Sequence, residues 1–364
     1  MRGADDWFLY NCWYAAGWTT EIEPGKPLAR TLLEKPVVMF RGEAGEYIAL
    51  DNRCCHRAAP LSSGRIEGSC IRCMYHGMKY DASGVCIEIP GQDRISPQHR
   101  VHSYPIVERG GMLWIWMGEV DKADPAEIPH FEPLDDPEWC GLPERCYLHY
   151  DANWMLIVDN LADFSHLAFV HTNTLGGSED YATDSAQAVT KLSNGFEFER
   201  WHRGSTQPPY LAAITPWDHD LKVDRCNFVR MYTPGVFLMD TQFGPVGWDS
   251  IMPRPELLEF RNCQYMTPET RNKTHFFWEY LRNFRKGDNA IGETLREAMF
   301  AGFFEDKVII EAQQTLLEQH GDFQPRGLAS DNALAQFRRV WFEAIAEERK
   351  TFPVAAQPIK NAVI

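Results

Sequence analysis

One residue separates Cys54 from His56, two separate Cys73 from His76, and sixteen separate the two pairs. Each pair offers one thiolate and one imidazole from a tight loop, so two facing loops could present two sulfurs and two nitrogens. A tetrahedral zinc ion can use such a set, although the common zinc finger places both cysteines before both histidines. The alternative is a [2Fe-2S] cluster with two thiolates on one iron and two imidazoles on the other. Neutral imidazoles make that cluster less negative than an all-cysteine one, so it accepts an electron more readily. Cys55 and Cys70 fall in the same stretch, match neither half of the pattern, and read as loop cysteines.

A second group follows in "DNLADFSHLAFVH", residues 159–171. His166 and His171 are five apart, about 140° of rotation on a regular helix. Both can face one metal only if the helix ends, tightens or bulges between them. Asp163 and His166, three apart, share one side of a helix. The residues alone leave two readings open, a metal site or two core histidines.

The quoted sequences carry a family resemblance. "CCHRAAPLSSG" from Cys54 and "CMYHGMKYDASGVC" from Cys73 resemble the two halves of the Rieske motif of ring-hydroxylating non-heme iron oxygenases, with Met78 where that family usually has Trp. Asn160, Asp163, His166 and His171 resemble the mononuclear iron motif of the same enzymes, and "FFEDKVIIEAQQ" resembles their late helix. The resemblance is greatest to the vanillate O-demethylase and dicamba monooxygenase group. It implies a Rieske cluster on Cys54, His56, Cys73 and His76, and Fe(II) on His166, His171 and Asp306, with Glu305 and Glu311 as competitors for the third position. Two histidines and a carboxylate on one face of Fe(II) leave positions open for O2. It further implies a head-to-tail homotrimer in which Asp163 bridges His166 to His76 of a neighbouring subunit, with Asn160 beside it. Electrons would come from an NAD(P)H-dependent reductase or ferredoxin. The implied reaction is monooxygenation of a small aromatic compound, with O-demethylation of a methoxylated aromatic acid as its leading form and ring or side-chain hydroxylation second. A Rieske electron carrier with a non-catalytic ligand-binding domain is the reading from another class, and a colourless zinc-stabilised module is a third.

These residues need elements to hold them. Short β-branched or alternating runs between 28 and 50, and two more around Gly110-Gly111, predict strands. With a loop-rich insertion over 54–91, they make residues 1–120 a small all-β domain. The Pro- and acid-rich stretch 121–145 reads as a linker crossing a surface. Residues 146–350 then form an α+β catalytic domain. In it, strand-like runs from 195 to 282 make one antiparallel sheet, and amphipathic helices cover 289–318 and 331–350. The resemblance implies that this sheet curves over helices in a START/Bet v 1-like helix grip. The tail, 351–364, has no period. The substrate cavity is expected among residues 195–265 and 300–304. Trp201, Trp217, Phe243 and Trp248 there read mostly as core, and Arg203, Arg225, Arg230 and Arg254 are candidates for an aromatic carboxylate.

Composition limits the partners. The chain has 364 residues, 44% hydrophobic and 24% charged, with a formal charge of -15. It can bury a full core, and that charge argues against a nucleic-acid backbone as partner. The sign reverses locally, where Arg53, Arg57, Arg65, Arg72 and Lys79 stand against Glu67, which predicts a docking patch for an acidic electron donor. There is no apolar run long enough to span a membrane. Asp5 and Asp6 precede the apolar part of the N-terminus, unlike a secretory signal, so a cytoplasmic location is expected. The remaining cysteines (Cys12, Cys86, Cys140, Cys146, Cys226, Cys263) are scattered and read as small buried hydrophobes.

Overall fold

The computed structural model describes residues 8–176, 189–215, 217–218, 220–248, 257–321, 323, 325–328 and 331–351. Eleven strands fill the first third: β1 Trp13–Trp18, β2 Leu28–Leu32, β3 Lys35–Arg41, β4 Tyr47–Asp51, β5 Arg65–Glu67, β6 Cys70–Arg72, β7 Lys79–Tyr80, β8 Cys86–Glu88, β9 Ser103–Tyr104, β10 Ile106–Arg109 and β11 Met112–Trp116. They make three small sheets, ordered β1-β11-β10, β2-β3-β4-β9 and β5-β6-β7-β8. The stretch expected as loop therefore carries its own four-stranded sheet, whose members are two or three residues long. Such strands are too short to show a period in sequence.

β12 (Cys146–Tyr150) opens the second part. It is followed by α1 Trp154–Ala162, α2 Leu167–Val170, β13 Val189–Lys191, β14 Gly195–Ser205, α3 Pro209–Ile214, β15 Val223–Tyr232, β16 Val236–Pro245, β17 Leu258–Thr270, β18 Lys273–Arg282, α4 Asn289–Gln319 and α5 Asn332–Thr351. The strands form one antiparallel sheet ordered β12-β18-β17-β16-β15-β14-β13.

Both faces of that sheet are covered, which explains why its central strands do not alternate cleanly in sequence. On β17, Phe260 and Met266 point to the helices, while Cys263 and Tyr265 point the other way, into a cluster with Trp18, Trp114 and Trp116 of β1 and β11. Trp114 meets Tyr265 at 5.1 Å between ring centroids, and Thr267 donates to the Ala15 carbonyl. The first third thus packs against the back of the sheet. The stretch 121–145 is anchored to this cluster, where Ile128 and Phe131 are buried.

α4 lies across the front of the sheet. Its buried residues, Ile291, Leu295, Met299, Phe303, Asp306 and Ile310, recur every three or four positions, one face of a helix. Asp306 is the acid in that apolar row. Gly302 sits in it because α4 approaches the loop after α2 closely. A Cβ there would lie 2.4 Å from Leu175 Cδ1. The end of the expected C-terminal tail, 352–364, lies outside the described residues.

Candidate metal centres

The two loops of the first constellation are the same turn made twice. Cys54 N–H donates to the Ala59 carbonyl and Ala58 N–H to the Cys54 carbonyl; Cys73 N–H donates to the Met78 carbonyl and Gly77 N–H to the Cys73 carbonyl. Ala58 and Gly77, the fourth residues after each cysteine, both have positive φ (55° and 77°). The turns differ in where the imidazole sits, two residues after Cys54 and three after Cys73. Cys54 and Cys73 are 3% and 1% exposed, whereas His56 and His76 are exposed with ring centroids 4.6 Å apart. Two buried sulfurs and two exposed imidazoles fit the donor set that would hold a Rieske [2Fe-2S] cluster. Met78, at the position that departs from the family pattern, is buried with its sulfur 4.0 Å from Cys54 Sγ. The Tyr80 hydroxyl lies 3.1 Å from Cys54 Sγ and accepts from Cys55 N–H.

The surface around this tip is less basic than the count along the sequence predicts. Glu67 takes Arg65, Arg72 and Lys79; Arg72 also pairs with Glu88; Arg53 pairs with Asp51. Those three acids pair with four of the five cations, and Arg57 alone of the five stands outside these pairs. Exposed Met74 and Tyr75, 54% and 59% accessible, flank His76 instead.

The second constellation depends on a helix break. Asn153 caps the start of α1 by accepting from Met155 N–H. α1 stops at Ala162 because Asp163 is extended (φ -131°, ψ 107°). The Asp163 carboxylate accepts from Ser165 N–H and Oγ–H at 2.8 and 2.9 Å, which starts a single 3-10 turn over Phe164–His166 before α2. The break removes the 140° offset. His166 Nε2 and His171 Nε2 come to 3.6 and 3.0 Å from Asp306 Oδ1, and the three ligand atoms lie within 4.8 Å of one another. Two imidazoles and a carboxylate at that spacing fit one divalent ion.

Each ring is oriented by its other nitrogen. His166 Nδ1 donates to the Asp163 carbonyl at 2.6 Å. A carbonyl can only accept, so the hydrogen is on Nδ1 and Nε2 presents its lone pair inward. His171 Nδ1 donates to Glu305 Oε2 at 2.7 Å, with the same outcome. Burial pulls the His166 imidazole below its ordinary value. Burial pulls His171 down too, but Asp306 and then Glu305 outweigh it and leave it raised, an effect a bound cation would oppose. Asn160 Nδ2 donates to Asp306 Oδ1 at 2.9 Å. The spacing predicts that Asp163 and His166 share one side of a helix; the break at Asp163 prevents this. Its backbone carbonyl holds that ring, and its carboxylate faces Ser165 with Arg200 3.8 Å away. Of the competing acids, Glu311 turns away to Asp151 N–H and Lys307.

A cavity opens beside the three residues. Leu161, Phe237, Met239, Met299 and Phe303 give it apolar walls, and Tyr210, Tyr280, Asn262, Gln264 and Arg225 give it polar groups. Of the four candidate arginines, Arg225 lines it. Arg203 pairs with Asp224 and stacks over Trp201, Arg230 pairs with Asp240 on the back of the sheet, and Arg254 lies outside the described residues. Trp201 and Trp248 pack together away from the cavity. The expected segments omit Leu161, Tyr280 and Met299. Tyr280 could have been found from alternation along β18, since Trp278 and Phe276 share its face.

The sequence of the first third matches the Rieske [2Fe-2S] domain over residues 12–105, and residues 150–347 match the vanillate O-demethylase oxygenase C-terminal domain. The iron-sulfur subunit of the toluene-4-sulfonate monooxygenase system of Comamonas testosteroni is 40% identical over 340 residues, covering 91% of this chain and 95% of the relative. A vanillate O-demethylase oxygenase subunit of Pseudomonas sp. is 31% identical over 358 residues, covering 96% and 98%. The crystal structure of dicamba monooxygenase bound to dicamba superposes with a TM-score of 0.84 at 30% identity, covering 94% of this chain and 99% of that one. The same enzyme solved with non-heme iron and dicamba gives 0.77 at 28% identity, covering 94% and 99%. The chain belongs to the Rieske non-heme iron oxygenases, as a terminal oxygenase component with a Rieske cluster and a mononuclear iron.

Proposed function

We propose that the chain hydroxylates a carbon attached to a small aromatic anion, using Cys54, His56, Cys73 and His76 to hold the cluster and His166, His171 and Asp306 to hold Fe(II). The observation that carries this reading is the cavity, where the three candidate ligands share one apolar space with Arg225. When bound, the cluster supplies single electrons and the ferrous ion is the place where O2 is activated. The remaining tasks fall to side chains. Arg225 holds the anion; Asn227 Oδ1, which accepts from Arg225 Nε and from Thr241, fixes the guanidinium. The apolar walls exclude water and present one carbon toward the ligand face, and pose decides which carbon reacts. Hydroxylating an O-methyl carbon gives a hemiacetal that collapses to a phenol and formaldehyde, and O-demethylation is the leading form. Oxidation of an aryl methyl group is the second, supported by the 40% identity to a subunit of a toluene-4-sulfonate system.

The domains in this reading are 1–120, a linker at 121–145, and 146–350, and the chain works in the cytoplasm with an NAD(P)H-linked reductase or ferredoxin. It assembles as a head-to-tail trimer, in which Asp163 bridges to a neighbour's cluster. Exposed apolar groups support the assembly. Met74 and Tyr75 surround His76, while Phe169, Phe300, Phe304 and Val308 are exposed beside the second centre, the last three spaced as one helix stripe.

The test is a panel of methoxy- and methyl-substituted aromatic carboxylates, sulfonates and neutral analogues, assayed with reductase and NADH for formaldehyde and alcohol. Anions should be preferred, and Arg225→Gln should raise KM for them about tenfold or more, the worth of a charge-assisted hydrogen bond, with little change for neutral analogues. Equal efficiency on neutral compounds with an unaltered KM would remove Arg225 from recognition. Tyr80→Phe tests the cluster side. A hydrogen bond to Cys54 sulfur favours the reduced cluster, so its loss should lower the midpoint potential by about 20–65 mV, one hydrogen bond converted for a one-electron couple. Spectroelectrochemical titration reads this directly, and an unchanged midpoint counts against Tyr80 as a donor.

A further inference from the structure

We infer that Glu305 is a positioning residue that holds His171 in place and makes it a stronger donor than His166; this rests on the reading of His166, His171 and Asp306 as the ferrous site. Consecutive helical residues diverge by about 100°, so Glu305 and Asp306 leave α4 on two sides of one imidazole. Asp306 Oδ1 is 3.0 Å from His171 Nε2, and Glu305 Oε2 is 2.7 Å from His171 Nδ1. The same Glu305 oxygen accepts from Thr174 Oγ1 at 2.6 Å. The loop after His171 closes on itself, with Thr174 N–H and Gly176 N–H both donating to the His171 carbonyl, and Leu175 fits over Gly302 of α4. His171 is therefore gripped at its ring, its backbone and the loop beyond.

His166 has no such arrangement. Its Nδ1 meets a neutral backbone carbonyl, whereas His171 meets a carboxylate, an acceptor roughly twice as strong. A carboxylate on the distal nitrogen raises the basicity of the ligating one. The two imidazoles that look equivalent in sequence are thus unequal donors. Glu305 does not line the cavity, so it acts on the centre through His171.

Cobalt(II) is the probe, titrated into full-length, cluster-loaded protein stripped of its mononuclear metal, with the visible ligand-field bands and the dissociation constant as readouts. Glu305→Ala should weaken cobalt binding about 10- to 100-fold and shift the bands, with the cluster absorbance unchanged. Glu305→Gln keeps an acceptor for Nδ1–H and should recover most of the affinity while still shifting the bands. Thr174→Val should give a smaller loss in the same direction. If Glu305→Ala does not fold, Glu305→Gln decides. Bands and affinity identical to the parent protein in the Glu305 variants would overturn the inference. Parent protein that binds no cobalt, or Asp306→Ala binding it as tightly as the parent, would instead sink the underlying assignment of the centre.

Discussion

Asp306→Ala is expected to leave a brown protein with about two irons per chain instead of about three, and no product formation. Asp306 is 4% exposed and its carboxylate faces both Nε2 atoms, so its removal takes away a negative charge that touches both imidazoles. Two neutral imidazoles remain, and hard Fe(II) needs the oxygen ligand. Glu305 cannot move in, because its carboxylate is on the far side of His171, engaged with Nδ1 and Thr174. Asn160 Nδ2 loses its acceptor on Asp306, a further reason for the local geometry to relax. The cluster loops are built from a separate sheet and keep their colour. Iron analysis beside the visible spectrum separates the two centres, and a variant that retained all its iron would place the mononuclear site elsewhere.

Much of this site is legible in the sequence, and the unequal parts have physical reasons. Cys54, His56, Cys73 and His76 stand out because soft and imidazole ligands cluster there at short spacing. What the spacing does not reveal is that both loops are one turn, since the shared feature is a backbone conformation adopted by Ala58 in one loop and Gly77 in the other. The His166–His171 interval poses a question that a straight helix cannot answer. The answer lies in Asp163, whose side chain caps the next turn, a role that Asp-x-Ser patterns permit without requiring. The choice among Glu305, Asp306 and Glu311 was available from periodicity: Asp306 continues the row Ile291, Leu295, Met299 and Phe303, and the other two do not. The cationic patch is weaker than its count along the chain, because that count ignores pairing. Glu67 alone collects three of its members. The arginine that lines the cavity is not legible in the sequence, because which face of β15 meets the cavity depends on packing from both sides of the sheet.

Asp163→Asn is expected to keep three irons per chain and an unaltered cluster spectrum while turnover falls by about 100-fold or more, the upper range for partners of metal ligands. The fold should survive. The asparagine carbonyl can still accept from Ser165 N–H, and the Ser165 hydroxyl can rotate to accept where it donated. His166 is held by the Asp163 backbone carbonyl, which the substitution leaves in place, so iron binding is preserved. What disappears is a partly exposed negative charge beside the helix break, at the point proposed to meet the partner subunit's His76. The loss should therefore appear between the centres and not at either one. A protein reduced with dithionite and mixed with O2 and substrate should reoxidise its cluster slowly, with substrate affinity unchanged. Near-normal single-turnover reoxidation would remove the bridge from Asp163 and require another route, with the backbone-held His166 itself as the next candidate.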